Sequence, residues 1–219
     1  HEGSSVLVTG SNFAPTGASL LCRWGDSPGL STVGLFVNGS AVHCPTLPVG
    51  GAQDSGLSVS HDAGDSWSTP AAPFTFYEPE RPPSLDLLSP SYVDVASPKR
   101  LAIALHGDNF APTAGLECGF GIVGDHGSVP ATFVSSGVAR CEAPRVARSN
   151  LVVHARHDGE RWSAEGLKLV LYNSSRPSLV KRLEPDALAL GHAANLTVRV
   201  VAWALPVISR PATHGTCHA

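Results

Sequence analysis

Apolar positions in this chain come in short bursts separated by turn-forming residues. Residues 101–105 form one such burst, punctuated by Gly107-Asp108-Asn109. Residues 116–120 form the next, followed by the turn signal Gly124-Asp125-His126-Gly127. Residues 129–134, 138–141 and 150–156 predict further strands, His157-Asp158-Gly159-Glu160 a hairpin, and residues 167–172 a closing strand. No stretch sustains the 3.6-residue period of an amphipathic helix. Many short strands with regular turn signals predict an all-β chain built as a sandwich.

The same pattern occurs twice, at a spacing of 95 to 97 residues. Gly10-Ser11-Asn12-Phe13-Ala14-Pro15-Thr16 returns as Gly107-Asp108-Asn109-Phe110-Ala111-Pro112-Thr113. Cys22 returns as Cys118, Cys44 as Cys141, Trp67 as Trp162 and Tyr77 as Tyr172. A third copy begins where Arg81-Pro82-Pro83-Ser84-Leu85 is echoed by Arg176-Pro177-Ser178-Leu179. There the glycine–asparagine signature has drifted to Ala202-Trp203-Ala204-Leu205, and Cys217 falls where a first cysteine belongs. The expected division is repeat one over 1–80, without its opening strand (the counterpart of residues 84–95), repeat two over 81–175, and the start of a third, divergent repeat over 176–219.

The recurring residues have structural work to do. Gly10 and Gly107 are expected at a bend or bulge with a positive φ, where a β-carbon would clash. Asn12 and Asn109 suit such geometry, and Phe13 and Phe110 are expected to enter the core. Trp67 and Trp162 follow a polar hairpin and are expected to cap the core beside the cysteines.

Composition narrows the class without changing the fold. Hydrophobic residues make up 42% and charged residues 15%, which is globular. A net charge of −3, with both signs interspersed, lacks the concentrated positive field that a phosphate backbone demands, so nucleic acid is not an expected partner. No charged-plus-apolar leader opens the chain, and the most apolar stretch, 196–209, is broken by Arg199 and Pro206. A secretion signal and any membrane anchor are therefore expected outside this window.

Taken in order, the motifs are Gly10 to Phe13, Cys22-Arg23-Trp24, Cys44-Pro45, the hairpin Ser60 to Ser68, and Phe74-Thr75-Phe76-Tyr77. This order resembles the IPT/TIG repeat family, across both copies and weakly into the third. The resemblance implies tandem immunoglobulin-like, E-set-like β-sandwiches. Family members include ectodomains of plexins and of the hepatocyte growth factor receptor group, fibrocystin-like surface proteins, Rel-type transcription factors and accessory domains of glycan-processing enzymes. Since one fold hosts many functions, the resemblance implies the fold more strongly than the role.

A cysteine pair recurring within each repeat reads as one intradomain disulfide per copy, Cys22 with Cys44 and Cys118 with Cys141; buried free thiols in a cytosolic sandwich are the alternative. Three N-glycosylation acceptors occur, at Asn38, Asn173 and Asn195. Together these features point to a secreted or cell-surface glycoprotein.

Other chemistry has little to stand on. His154 and His157 lie three apart on a predicted strand and face opposite sides, which does not suit a shared metal. The 214–218 segment holds His214, Cys217 and His218, but repeat phase explains the cysteine better. Asp62, Asp65, Asp158 and Glu160 are too sparse for calcium and read as turn-formers. No catalytic motif and no cofactor motif is present. The expectation is a non-enzymatic extracellular array for protein–protein recognition, adhesion or a receptor stalk, whose partners are a protein ligand or neighbouring repeats. The alternatives are an accessory module of a secreted glycan-active enzyme, with Trp24, Trp67 and Trp162 as sugar platforms, and a Rel-like DNA-binding sandwich.

Overall fold

The computed structural model describes residues 4–25, 30–122, 125–146, 150–184 and 199–203. Among them the chain is all-β and is organised as tandem immunoglobulin-like sandwiches. No helix among them is long and apolar enough to cross a membrane.

Sandwich one is built from β1 (Ser5–Thr9), β2 (Leu21–Trp24), β3 (Ser31–Val33), β4 (Leu35–Asn38), β5 (Ala41–Pro45), β6 (Gln53–Ser60) and β7 (Ala72–Phe76). One sheet runs β1-β5-β4 and the other β3-β2-β6-β7, with every pairing antiparallel. Alternation decides which side chains turn inward. Cys22 and Trp24 of β2 face Val42 and Cys44 of β5 across the core, with Leu20, Leu57 and Val59 completing it.

Sandwich two contains β8 (Ser84–Ser89), β9 (Tyr92–Asp94), β10 (Ala102–Asp108), β11 (Glu117–Ile122), β12 (Asp125–Pro130), β13 (Thr132–Ser135), β14 (Val138–Glu142), β15 (Asn150–Arg156) and β16 (Leu167–Tyr172). The sheets run β13-β14-β10-β8 and β12-β11-β15-β16-β9. Its core is larger: Ile103, Leu105, Phe110, Val153 and Leu169 are all but fully buried. Each such side chain contributes roughly 1.5–3 kcal/mol through burial.

Three expectations change here. Residues 129–134 are not one strand but the end of β12 and most of β13, which lie in different sheets and change over at Ala131. The opening stretch 84–95 likewise divides: β8 pairs antiparallel with β10, and β9 crosses to pair parallel with β16. Of the turn expected at Gly124 to Gly127, Asp125, His126 and Gly127 belong instead to β12, and Gly124 lies outside the described residues.

Beyond sandwich two, β17 (Leu179–Glu184) and β18 (Arg199–Trp203) form an antiparallel pair that joins Leu179 to Trp203. Ala202 and Trp203, the drifted signature positions, continue β18 as strand. Asn195 and Cys217 lie outside the described residues.

Candidate functional site

The signature Gly-x-Asn-Phe divides its labour differently from the expectation. Asn12 and Asn109 take the positive φ, 64° in each, while Gly10 and Gly107 do not. Asparagine tolerates this left-handed conformation better than most residues. The glycine is needed for close approach: a β-carbon on Gly107 would fall 1.9 Å from the carbonyl oxygen of Ser84, where β8 crosses.

Asn109 sits at the joint between the sandwiches and is fully buried. Its Oδ1 accepts the Glu78 amide N–H at 2.8 Å, and its Nδ2 donates to the carbonyls of Glu78 at 3.0 Å and Arg81 at 2.5 Å. One side chain thus satisfies three backbone groups of the segment that links the repeats. His157, also buried, donates from Nε2 to the Arg81 carbonyl at 2.9 Å. A carbonyl only accepts, so Nε2 carries a proton in this contact, and Nδ1 is buried without a hydrogen-bond partner. Thr113 donates from its hydroxyl to the His157 carbonyl, and Tyr77 meets the imidazole edge-on at 5.2 Å.

Arg161 closes the other side of the linker. Its guanidinium donates to the carbonyls of Pro79 at 3.0 Å and Glu80 at 2.7 Å, and pairs with the Glu80 carboxylate. Asp158 aims it: the carboxylate accepts from Arg161 Nε at 3.0 Å and from the backbone N–H groups of Glu160 and Arg161. Burial would push the Asp158 carboxyl up, yet these donors together outweigh it and hold the group at about 2. The Arg161–Glu80 pair is solvent-exposed, so water and salt screen it and it adds little to the lock. The buried amide of Asn109 is the stronger lock. The sandwich bodies meet where Asp54 on β6 accepts from the Ser136 N–H at 2.8 Å and its hydroxyl at 2.8 Å.

The tryptophans also differ from the expectation. Trp67 and Trp162 are outside the core clusters and stand half-buried under the guanidinium groups of Arg23 and Arg156, each 4.3 Å from the ring. The tryptophan beside a disulfide is Trp24, buried against Phe74 and Phe76. Its burial removes it as a sugar platform. The residue after each hairpin tryptophan carries a role the sequence did not reveal. Ser68 bonds Val59 through both its N–H and its hydroxyl, and Ser163 bonds Ala155 in the same way. In both copies this clasp closes the hairpin.

Both expected disulfides are formed, Cys22–Cys44 and Cys118–Cys141. Each joins the two sheets of its sandwich: Cys22 lies on β2 and Cys44 on β5, Cys118 on β11 and Cys141 on β14. Asn38 ends β4 in the open, and Asn173 lies half-buried just past β16. Each accepts the N–H of the serine two residues on, so the two sequons share one turn conformation.

His154 bonds Ser163 within its hairpin while His157 serves the joint, so the two do not converge. Among the described residues no group of three or more His, Cys, Asp or Glu could hold a metal. Asp62 accepts from the Ser60 hydroxyl at 2.6 Å and from the Ser66 N–H and hydroxyl, which lowers its carboxyl well below the ordinary range. It is a turn-former.

No family model matches the chain, and no curated protein matches it. Among solved structures it is similar to the plexin A4 extracellular region, domains 1 to 8, at 15% identity and a TM-score of 0.32, over 80% of this chain and 24% of that one. It is also similar to SGBP-B from a complex xyloglucan utilization locus in Bacteroides uniformis, at 15% identity and a TM-score of 0.36, over 77% and 44%. Murine CEACAM1b matches at 11% identity and a TM-score of 0.25, over 78% and 94%. The chain thus spans about a quarter of the plexin region and under half of SGBP-B.

Proposed function

We propose that this chain is a non-catalytic extracellular repeat array of the IPT/TIG type, whose sandwiches act as fixed-angle spacers and protein-recognition units in a receptor ectodomain or adhesion stalk. One observation carries the reading: the linker over Glu78 to Arg81 is bonded through its backbone to Asn109, His157 and Arg161 of sandwich two. A linker that served only as a tether would not need its amides and carbonyls satisfied by buried side chains. Held this way, the second sandwich keeps one orientation to the first, as a rod requires. The disulfides and exposed Asn38 support a secretory route. The accessory-module reading is not favoured, because Trp24 is buried and the half-buried rings of Trp67 and Trp162 each lie under a guanidinium.

Small-angle scattering of the full chain tests this reading. An extended particle is expected, with its maximum dimension reduced or broadened by Asn109→Asp, which removes two of the three bonds. A compact globule, or a wild-type profile already as broad as the variant's, would sink the spacer reading.

A further inference from the structure

A sheet edge left open to solvent is a template for pairing with a second chain unless something guards it. Among the described residues β4 is such an edge: it ends the sheet β1-β5-β4, and Leu35, Phe36, Val37 and Asn38 are all exposed. None of the four is charged or proline, and the first three are apolar. Its counterpart β13 likewise ends its sheet, in a sandwich that has another before it, so this open edge is a property of the repeat.

Sandwich two guards the edge in two ways. Pro130, which has no N–H to offer a partner strand, stands at the changeover where sandwich one has Val33. The solvent face beside β13 pairs Thr132 with Arg140, where sandwich one pairs Leu35 with His43. Neither guard is present on β4.

What sandwich one has instead is a sequon. Asn38-Gly39-Ser40 turns β4 into β5, where sandwich two has Ser135-Ser136-Gly137. On a regular strand Leu35 and Asn38, three residues apart, would face opposite sides. The register shift between Phe36 and Asn38 changes this. Leu35 stands opposite His43 and Asn38 opposite Ala41, two positions on one face of β5, while Val42 between them is buried. The bulge therefore brings Asn38 onto the same solvent face as Leu35. Leu35 is 60% exposed and Val37 49%, both within three residues of Asn38. Asn38 Oδ1 accepts the Ser40 N–H at 2.8 Å, which leaves Nδ2, the atom that takes a sugar, outside this bond.

We propose that an N-linked sugar on Asn38 is the guard of this edge: it lies back over Leu35 and Val37 and keeps β4 from pairing with β4 of a second chain. The C–H faces of the first sugars cover the apolar side chains while their hydroxyls stay in water, and their bulk blocks the approach of another strand. The inference rests on the extracellular reading above, because only a chain that passes through the secretory pathway receives such a sugar.

The test is sedimentation equilibrium of the full chain secreted from eukaryotic cells, with sugar occupancy read by mass spectrometry. The wild type is expected to carry sugar on Asn38 and to stay monomeric up to about 100 μM. Ser40→Ala removes the sequon and keeps the turn, since Ser40 bonds Asn38 and Gly10 through its backbone; its mass should approach twofold over the same range. The wild-type sequence refolded with its disulfides from a host that adds no sugar should do the same, without any substitution. Ser175→Ala, which strips Asn173 instead, should remain monomeric. Adding Leu35→Lys to Ser40→Ala should restore the monomer by placing a charge on the edge. Asn38 bare while Asn173 carries sugar would overturn the proposal and leave the extracellular reading standing; both bare would remove both. Sugar-free chains as monomeric as the wild type, association of Ser175→Ala, or association that Leu35→Lys does not reverse would each overturn it as well.

Discussion

Asn12 and Asn109 share a backbone conformation and differ in burial and in what their amides bind, so one substitution should carry two different costs. Asn109→Ala takes the acceptor from the Glu78 N–H and one of the donors from each of the Glu78 and Arg81 carbonyls, which should cost about 1–3 kcal/mol. Asn12→Ala, at an exposed position, should cost under about 1 kcal/mol, mostly from the positive φ. Thermal denaturation of the two variants compares them directly; equal shifts would show that Asn109 does not hold the joint. Gly107→Ala is expected to displace β8 altogether, because a β-carbon 1.9 Å from a backbone oxygen has no side chain to push aside. Its signature is loss of amide protection along β8 and β10 in hydrogen exchange. The motif carrying these residues was legible in the sequence, as was the lack of room for a β-carbon on Gly107, but the positive φ expected of the glycine belongs to the asparagine. A linear motif marks where the chain is special; it does not reveal which backbone passes overhead.

At the level of strands, alternation located nearly every element and failed at the crossings. Residues 129–134 and 84–95 each read as one extended run, because period-two patterning says which face a residue takes but not which sheet it joins. Hairpin chemistry was half legible. Asp158 was identified as a turn-former, but the Arg161 it aims reaches a linker some 80 residues away in sequence. The hold of Asp158 on Arg161 has a pH dependence with a definite sign. The Asp158 carboxyl is depressed to about 2 from an ordinary 3.8. Its contribution is therefore complete above pH 3.8 and fades as pH falls toward 2. The stability gap between wild type and Asp158→Asn should narrow through that window and stay constant above it. Melting temperatures taken from pH 7 to pH 2 check this; a gap that widened on acidification would mean another group dominates.

For the whole molecule, the repeat spacing made the cysteine pairs legible, while the pairings at the joint were not, although Asn109 and His157 both lie in motifs that the sequence singles out. The joint's contacts connect Glu78 to Asn109 and Arg81 to His157, pairs that repeat phase does not relate. Cys22→Ser with Cys44→Ser should destabilise sandwich one by roughly 3 kcal/mol on the chain-entropy estimate, read as a lowered midpoint in urea for that sandwich alone. Expression through a eukaryotic secretory pathway, followed by peptide mapping without reduction, should find sugar on Asn38 and Asn173; bare asparagines at both would remove the support they give to an extracellular location.

Each disulfide ties one sheet of a sandwich to the other, joining cysteines 22 positions apart in sandwich one and 23 in sandwich two. Under tension along the chain, the segments between them cannot pay out. At about 3.5 Å per residue, each bridge withholds roughly 70 Å of contour length, so a sandwich that yields to force lengthens by that much less. In a reducing medium the same molecule would stretch further at every rupture, and the difference between the two traces in a single-molecule pulling experiment would count the bridges one by one.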